Sequence, residues 1–304
     1  MEKPALQYSS GTVAAKLDNG EKILVQNVSF EILPGETLAL IGETGSGKTM
    51  IAQSILGTLP RNVRMSGASV WLCGEPLPAG RKLREMLGRE IVYIPQNGHE
   101  FLNPSRTVFR HMADSLGRVG VPASRQRQEA CRLLSLAGFA APEALLKQYP
   151  FQLSGGMAQR VTIALALCTK VKLLIADEPT NGLDTRGKRH FLTLLHDLFP
   201  DAAKIVITHD ISVAALCDRI LILCSGKSME TGSGKAVLEA PMHPYTKALL
   251  GALVENGMQQ TPVLREKAGS CPFYARCTQA GERCRGAEIP QQKQTLREWW
   301  CVLP

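Results

Sequence analysis

The chain has 304 residues, of which 44% are hydrophobic and 20% are charged, with a formal net charge of +8. These values are typical of a globular protein and argue against a disordered or collagen-like chain. The charge permits a nucleic acid, an anionic membrane surface or an acidic ligand as partner, without choosing among them. The longest apolar runs, such as VTIALALC at 161–168, are far shorter than a membrane-spanning helix. No signal-peptide pattern begins the chain, so we expect a cytoplasmic location.

Short apolar runs alternate with longer helical patterns along most of the chain. Strands are predicted at 23–32, 37–42, 90–96, 172–177, 204–208 and 219–223. Helices are predicted at 48–56, 154–168, 186–198 and 211–217, with a mostly helical segment over 107–148. This alternation predicts an α/β domain with a largely parallel sheet and an inserted helical subdomain at about 100–168.

The composition changes near the C-terminus and becomes polar and rich in Pro, Gly and Cys. We therefore predict a main α/β domain over 1–255 and a small Cys-rich extension over 256–304. A segment this short buries little apolar surface, so it would be marginally stable without a cofactor or a partner surface.

The segment GETGSGKT follows a predicted buried strand and precedes a predicted helix. It fits the pattern G-x-x-x-x-G-K-[ST], in which backbone N–H groups and a helix N-terminus surround a phosphate. Lys48 is predicted to reach the β- and γ-phosphates of a nucleotide, and the Thr49 hydroxyl to bind Mg²⁺. A glycine-rich turn that binds nothing is the alternative, and the flanking elements argue against it. The predicted nucleotide-binding residues of this loop are Gly42, Glu43, Thr44, Gly45, Ser46, Gly47, Lys48 and Thr49.

Two acids end the apolar run LLIADEPT at 173–180. Carboxylates at the end of a buried strand are costly unless a partner offsets their desolvation. Mg²⁺ would be that partner for Asp177, and Glu178 would then orient or deprotonate the attacking water. A solvated acid pair is the alternative, which the phosphate-binding loop in the same chain disfavours.

A second anion-binding helix start is predicted at LSGGMAQRV, residues 153–161. Ser154 can cap the helix, while Gly155 and Gly156 leave backbone N–H groups uncovered. Together with the loop and the acid pair, this segment resembles the signature of the ATP-binding-cassette (ABC) ATPases, over about residues 5–255. The resemblance implies an ABC-type P-loop domain with a parallel sheet core, an antiparallel β subdomain and a helical signature subdomain.

In that family two cassettes pack head to tail, and each signature contacts the ATP held by the other's phosphate loop. The resemblance also assigns roles to residues in three further motifs. Gln96 matches the glutamine that contacts Mg²⁺ and the attacking water, Asp184 in NGLD matches the D-loop aspartate, and His209 in VITHD matches the switch histidine. The implied catalytic residues are Glu178, His209 and Gln96, and the implied Mg²⁺ ligands are Thr49, Gln96 and Asp177.

Two positions depart from the family pattern. The D-loop reads TNGLD, with Gly182 where relatives have a small non-glycine residue, which predicts a looser loop. Relatives also place an aromatic residue near the end of the first strand, where it stacks on adenine. Ala14 or Ala15 takes that place here, and Tyr8 lies too early in the sequence.

The segments HPYTKALL at 243–250 and CPFYARC at 271–277 resemble the oligopeptide/dipeptide/nickel importer ATPases, which carry a cysteine-containing C-terminal extension. Four thiolates can hold zinc or an iron–sulfur cluster. The tight pairs of structural zinc sites are missing here, and the looser spacing favours a cluster. The resemblance likewise implies a [4Fe–4S] cluster, with zinc or free thiols as alternatives. The four grouped residues are Cys271, Cys277, Cys284 and Cys301.

The resemblance implies an ATPase subunit of an importer, lying peripherally on the cytoplasmic face of the inner membrane. Its implied partners are a second, related but different ATPase subunit, two membrane permeases and an extracytoplasmic solute-binding protein. Short peptides are the expected cargo, with nickel or metal–opine chelates as alternatives.

Two rival functions remain open. A soluble ABC-type ATPase acting on nucleic acid or ribosomes is disfavoured by the single cassette and the absence of a long coiled-coil insert, so we expect no nucleic-acid partner. A non-catalytic scaffold is disfavoured because Lys48, Asp177, Glu178 and His209 are all present.

Overall fold

The computed structural model describes residues 3–253, 256–261, 263, 270–286, 289–294 and 297–303. Its strands are β1 (Leu6–Leu17), β2 (Gly20–Ile32), β3 (Thr37–Ile41), β4 (Val63–Ser66), β5 (Ser69–Leu72), β6 (Glu75–Pro76), β7 (Ile91–Ile94), β8 (Leu173–Asp177), β9 (Ala203–Thr208), β10 (Arg219–Cys224), β11 (Lys227–Ser233), β12 (Gln291–Gln294) and β13 (Arg297–Trp300). Its α-helices are α1 (Lys48–Leu56), α2 (Arg81–Met86), α3 (Gly98–Phe101), α4 (Val108–Arg118), α5 (Ala123–Leu136), α6 (Pro142–Leu145), α7 (Gly155–Ala166), α8 (Thr185–Leu198), α9 (Ile211–Ala214), α10 (Gly234–Glu239), α11 (Pro244–Gly251) and α12 (Arg283–Gly286). Single 3₁₀ turns occur at Pro150–Gln152 and Tyr274–Arg276.

These elements form two compact units, which are described separately. Unit 1 consists of Met1–Leu6, Glu31–Glu36 and Trp71–Val206, and unit 2 consists of Gln7–Phe30, Thr37–Val70 and Ile207–Pro304. The predicted boundary at 255/256 stays a prediction, because residues 254 and 255 lie outside the described residues.

Parallel strands form the sheet of unit 1, in the order β9-β8-β7. β7 pairs with β8 from Ile91 opposite Leu173 to Ile94 opposite Ala176. Every residue of β8 is buried. Such continuous apolar strands are typical of a parallel sheet covered on both faces, and β8 delivers Asp177 at its C-terminal end.

The helices α3 to α7 form the helical part of unit 1, within the range predicted for the inserted subdomain. In α4, the buried residues Val108, Met112 and Leu116 recur four positions apart and so lie on one face of the helix. Each such buried side chain contributes roughly 2 kcal/mol to stability. The shared core fixes the position of α7, whose N-terminus carries the signature. Its members are Leu102, Val108, Met112, Leu116, Ala130, Leu133, Leu134, Ala137, Leu145, Leu146, Leu153, Ala158, Val161, Ala164, Leu165 and Cys168.

The sheet of unit 2 has the strand order β12-β13-β11-β10-β3. β3 and β10 are parallel, with Leu38 opposite Arg219 and Ile41 opposite Ile222. The remaining neighbours are antiparallel. β3 is entirely buried and ends immediately before the phosphate loop. In the antiparallel β region, β1 lies beside β2 and also pairs with β4.

A buried ion pair attaches β13 to β11. Glu230 is fully buried, and Arg297 donates to its Oε1 from Nε at 3.0 Å. The same carboxylate accepts backbone N–H groups of Met242 at 3.1 Å and His243 at 3.0 Å. An isolated buried carboxylate would be strongly unfavourable, whereas this one is paired and hydrogen-bonded. Glu230 therefore joins the C-terminal strand to the start of α11.

Among the described residues, no helix combines the length and the apolar composition needed to span a lipid bilayer.

Candidate functional site

The phosphate loop of unit 2 connects β3 to α1, as predicted. Gly42 has φ +157° and Gly47 has φ +100°, conformations that other residues rarely adopt. A Cβ atom at Gly42 would also lie 2.2 Å from the carbonyl oxygen of Leu223. Gly47 precedes α1 without offering a side chain to cap it. The first-turn N–H groups of α1 are therefore available to an anion.

Lys48 is buried, and its ammonium group is held by the loop itself. Its Nζ donates to the carbonyl oxygens of Gly42 at 2.6 Å and Glu43 at 3.1 Å, and to Ser46 Oγ at 3.4 Å. Thr49, on the first turn of α1, is exposed. The loop thus presents a cation, free helix N–H groups and a hydroxyl, which together suit a phosphate group and a bound divalent cation.

His209 lies at the C-terminal end of β9, on an exposed position of unit 2. Its neighbours are fixed by hydrogen bonds. Thr208 Oγ1 accepts from the backbone N–H of Asp210 at 3.0 Å, and Asp210 Oδ1 accepts from that of Ser212 at 2.8 Å. Asp210 is the N-cap of α9, so the backbone on both sides of His209 is constrained.

Tyr8 is a core residue of unit 2. Its ring is fully buried and stacks on Phe30 with centroids 5.0 Å apart, while its hydroxyl lies 3.1 Å from Ser54 Oγ. It is therefore not available as a platform for adenine. Ala14 and Ala15 are also buried, and neither offers a ring.

In unit 1, Asp177 is buried at the end of β8 and accepts a hydrogen bond from the Tyr93 hydroxyl at 3.2 Å. Burial, and then the adjacent Asp177 charge, raise the pKa of Tyr93, so this hydroxyl remains a neutral donor. Tyr93 was not predicted as a site residue. The sequence feature that could have indicated it is its position in the apolar strand β7, which pairs with the strand that ends in the acid pair.

Glu178 adopts φ +46°, a left-handed conformation that is uncommon outside glycine. Such a conformation costs on the order of 1 kcal/mol and is concentrated at functional sites. The chain turns directly after β8, where the backbone N–H of Asn181 donates to the carbonyl oxygen of Glu178 at 3.2 Å.

The signature segment begins α7, as predicted. Ser154 is the N-cap, and its Oγ accepts from the backbone N–H of Met157 at 3.3 Å. Apart from the chain neighbours of each glycine and the adjacent backbone of α7, nothing in the described residues lies within 4 Å of where a Cβ of Gly155 or Gly156 would be. The N-terminus of α7 is thus open on the side where the glycines lie.

A cleft of about 700 Å³ in unit 1 brings three predicted motifs together. A hydrogen bond from Gln159 Nε2 in the signature helix to the carbonyl oxygen of Gln96, at 3.4 Å, joins the signature to the segment that carries Gln96. The lining residues are Gln96, Asn97, Gly98, Glu100, Gly155, Gly156, Gln159, Asn181, Gly182 and Leu183.

The backbone conformation at position 182 explains why the D-loop has a glycine there. Gly182 adopts φ +78°, which glycine reaches without the steric cost of a Cβ atom. Asp184, two residues later, is the N-cap of α8, with its Oδ1 accepting from the backbone N–H of Gly187 at 2.7 Å. The segment is therefore a defined turn that leads into a capped helix, and Asp184 has a structural partner within its own helix.

The four grouped cysteines of the tail surround one small cavity of unit 2, about 20 Å³ in volume. Burial raises the pKa of the Cys271 thiol to about 11, and the nearby Cys224, Cys301 and Cys277 contribute in the same direction. Among the described residues, no three Cys, His, Asp or Glu side chains are arranged as a ligand set for a metal ion. The lining residues are His243, Pro244, Cys271, Tyr274, Cys277, Ala280, Cys284, Ile289, Cys301, Val302 and Leu303.

His243 lines the same cavity and has an unsatisfied ring nitrogen. Its Nδ1 accepts the backbone N–H of Tyr245 at 2.9 Å, so Nε2 carries the proton of the neutral ring. Nε2 is buried beside the backbone of Trp300, its one nearby acceptor that is identified, and this contact falls short of good hydrogen-bond geometry. A buried unpaired donor costs about 1–3 kcal/mol. A thiolate or sulfide in this cavity would supply the missing acceptor, so the donor set fits a sulfur-rich group.

Two family models match the chain. The ABC transporter model matches residues 25–181, and a model described as the oligopeptide/dipeptide transporter C-terminal region matches residues 229–284. The first spans the phosphate loop, the signature and the acid pair, and the second spans α11 and three of the four grouped cysteines.

Curated relatives match over most of their length. The dipeptide transport ATP-binding protein DppD of Bacillus subtilis is 36% identical, over 90% of this chain and 88% of that protein. The oligopeptide transport ATP-binding protein OppD of Salmonella typhimurium is 35% identical, over 93% of this chain and 88% of that protein.

Solved structures agree with these matches. The structure of cbiO1 from Clostridium perfringens, part of the ABC transporter complex cbiONQ, has a TM-score of 0.66 and 27% identity, covering 79% of this chain and 92% of that one. A dimeric, post-hydrolysis structure of an ATP-binding cassette bound to ADP and Pi has a TM-score of 0.65 and 25% identity, covering 75% of this chain and 98% of that one.

Proposed function

This chain belongs to the ABC transporter family, and we propose that it powers the uptake of short peptides as the ATP-hydrolysing subunit of an importer. The proposal that the cargo is a peptide rests on the C-terminal match over residues 229–284. The cassette alone would not identify the cargo, because transporters of many solutes share it. The two named relatives transport dipeptides and oligopeptides. Nickel and metal–opine chelates are the alternative cargoes.

The phosphate loop is the proposed site of the ATP triphosphate. Lys48 would exchange its hydrogen bonds to the Gly42 and Glu43 carbonyls for the β- and γ-phosphates. Backbone N–H groups at the start of α1 would bind the remaining oxygens. Thr49, Gln96 and Asp177 are the proposed Mg²⁺ ligands, and the ion would neutralise charge on the phosphates during hydrolysis.

Glu178 is the proposed general base. Its carboxylate would orient water and accept a proton from it as the γ-phosphate departs. His209 would contact the γ-phosphate as a neutral donor, and Gln96 would orient the same water. The left-handed backbone at Glu178 supports a dedicated role, because such strain persists only where surrounding structure imposes it.

The open signature supports a head-to-tail pair of cassettes. Ser154, Gly155 and Gly156 present a helix N-terminus whose glycines line an open cleft and have room for added atoms. We propose that this N-terminus binds the γ-phosphate of the ATP held by a second ATPase subunit, with Asp184 positioned at the contact between subunits. The second subunit is proposed to be a related but different chain.

Adding bulk at the signature should separate ATP binding from hydrolysis. The double variant Ser154→Gln and Gly155→Gln is expected to bind ATP normally and to hydrolyse it roughly 100-fold more slowly, as when a preorganised anion donor is removed. Ser135→Gln, on an exposed position of α5, is the matched control. ATP binding is measured by calorimetry and turnover by phosphate release in the reconstituted complex. Full-rate turnover by the double variant, as a lone monomer, would disprove the two-cassette proposal.

The importer complex is proposed to contain two permeases and an extracytoplasmic solute-binding protein, with this chain peripheral on the cytoplasmic face of the inner membrane. Exposed aromatic residues in unit 1 support a protein partner there. Phe101 is 47% exposed, Tyr149 38% and Phe151 72%, and the last two stack with centroids 5.6 Å apart. Exposed aromatic clusters are typical of docking surfaces.

The four tail cysteines are the proposed ligands of a [4Fe–4S] cluster, with zinc as the alternative. The support is their shared cavity and the unpaired Nε2 of His243 beside it. A bound cluster would link four segments of a tail that has little core of its own, so its contribution is proposed to be structural. The present cavity holds about one water molecule, so the thiols would have to move apart around a cluster.

Protein purified without oxygen should be brown and contain iron and acid-labile sulfide. Cys277→Ser is expected to lose most of the iron, because one of four ligands is removed, whereas Cys73→Ser, at an exposed position elsewhere, should retain it. Iron, sulfide and zinc are measured per chain. Colourless protein with one zinc per chain would contradict the cluster proposal.

A further inference from the structure

We propose that Arg276 is a positioning residue for the ATP site, which acts by pairing with Glu43 of the phosphate loop. The pair would keep the Glu43 carboxylate from opposing the triphosphate as an unpaired charge. This inference rests on the proposed function of residues 42–49 as the phosphate site. It assigns to the CPFYARC segment a role that does not depend on its cysteines.

The two side chains form a bidentate ion pair within unit 2. Arg276 Nη1 donates to Glu43 Oε1 at 2.7 Å, and Nη2 donates to Oε2 at 2.8 Å. Such fork-to-fork pairs are stronger and more directional than single ionic contacts. The Arg276 side chain is 26% exposed and the Glu43 side chain 47%, so the pair is partly shielded from solvent.

Aromatic residues hold the guanidinium group in place. The Arg276 Cζ atom lies 5.2 Å from the ring centroid of Phe273 and 6.0 Å from that of Tyr245. These distances are within the range of cation–π attraction. The two rings also contact each other, with centroids 5.3 Å apart. Packed aromatic rings therefore support the arginine and orient it toward the loop.

Tyr245 reaches the same loop residue. Its Oη accepts a hydrogen bond from the backbone N–H of Glu43 at 3.3 Å. The carbonyl oxygen of Glu43 accepts from Lys48 Nζ at 3.1 Å. Glu43 is thus held at its side chain, its N–H and its C=O, and the partners of the side chain and the N–H, Arg276 and Tyr245, come from the C-terminal part of the chain. We refer to Glu43, Tyr245 and Arg276 as the Glu43 clasp.

The charge of Glu43 explains why the clasp would matter for ATP. A triphosphate carries several negative charges, and a free carboxylate on the second residue of its binding loop would repel it. Pairing with Arg276 neutralises that carboxylate and directs it toward the tail. Removing Arg276 should therefore weaken ATP binding more than removing both members of the pair.

The test is a double-mutant cycle on the whole protein in its complex, with Arg276→Gln, Glu43→Gln and the double variant. Arg276→Gln is expected to raise KM for ATP about fivefold, with kcat within about twofold, as for a coupling at the low end of the usual range. Glu43→Gln, which removes the charge but keeps the loop backbone, should shift KM by less than Arg276→Gln does, and in the double variant the replacement of Arg276 should add no further increase in KM. Arg283→Gln, an exposed arginine of α12, is the control and should leave KM unchanged.

A purely structural role of Arg276 predicts different results. In that case Glu43→Gln would not rescue Arg276→Gln, and the loss would appear in kcat or in the unfolding temperature; this result would overturn the proposal. Should Arg276→Gln fold poorly, Arg276→Lys provides the second variant. It keeps the charge but not the bidentate geometry, and it should raise KM by less than Arg276→Gln would, with rescue again by Glu43→Gln. If wild-type protein itself shows no ATP binding, the failure lies in the proposed function and not in the clasp.

Discussion

The variant Glu178→Gln should bind ATP as tightly as the wild type and hydrolyse it roughly 1,000-fold more slowly, within the range for loss of a general base. Glutamine keeps the size of glutamate and its carbonyl acceptor, but it cannot take a proton from the attacking water at neutral pH. The nucleotide-bound state should therefore accumulate, with two cassettes held together around unhydrolysed ATP. Single-turnover hydrolysis and size-exclusion chromatography with ATP measure the two effects.

Glu85→Gln is the matched control for this variant, because Glu85 is an exposed residue whose described ion pair is with Arg81 on its own helix. It should hydrolyse ATP at the wild-type rate and form no trapped pair. A wild-type rate for Glu178→Gln would show that the base lies elsewhere in the chain.

Lys48→Ala is expected to weaken ATP binding at least about 30-fold, as when one partner of a desolvated charge pair is removed. The physical reason is that Lys48 is buried at the loop, where the proposed site would use its positive charge to bind the phosphates. Alanine would also remove the hydrogen bonds that Lys48 Nζ donates to the Gly42 and Glu43 carbonyl oxygens. Equilibrium binding of a fluorescent ATP analogue measures the loss.

The control for Lys48→Ala is Lys22→Ala, which removes an exposed lysine of β2 from the same unit. Its affinity for the analogue should equal that of the wild type. Normal ATP hydrolysis by Lys48→Ala would refute the assignment of residues 42–49 as the phosphate site.

Elements with strong local patterns were predicted well from the sequence. The helix predicted at 48–56 is α1, and the strand predicted at 172–177 is β8 with one residue fewer. Both are bounded by clear signals: the glycine-rich loop before α1 and the acid pair after the apolar run of β8. Buried strands between such signals leave little freedom in where the element ends.

Elements that depend on distant partners were missed. β12 reads QQKQ and β13 reads REWW, and neither shows the apolar alternation that marks a strand. β13 forms because β11 and the buried Glu230 lie beside it.

The helix predicted at 211–217 ends at Ala214, four residues after its Asp210 cap.

The candidate site shows the same division. The loop, the acid pair and the signature are contiguous motifs whose chemistry can be read from spacing. Glu43, by contrast, is predicted only as a member of the phosphate loop, and its ion pair could not be foreseen, because Arg276 is 233 residues away in the sequence. Tyr8 and Tyr93 likewise acquire their environments from other strands, which no local pattern reveals.

Because β13 runs antiparallel along β11, it occupies backbone N–H and C=O groups that β11 would otherwise present to solvent. A bare sheet edge is a template for pairing with other chains and therefore for aggregation. Excising residues 289–304 would do more than remove one cysteine, since it would uncover such an edge and take the guanidinium away from Glu230. The last strands of the tail are thus also a shield against unwanted self-association.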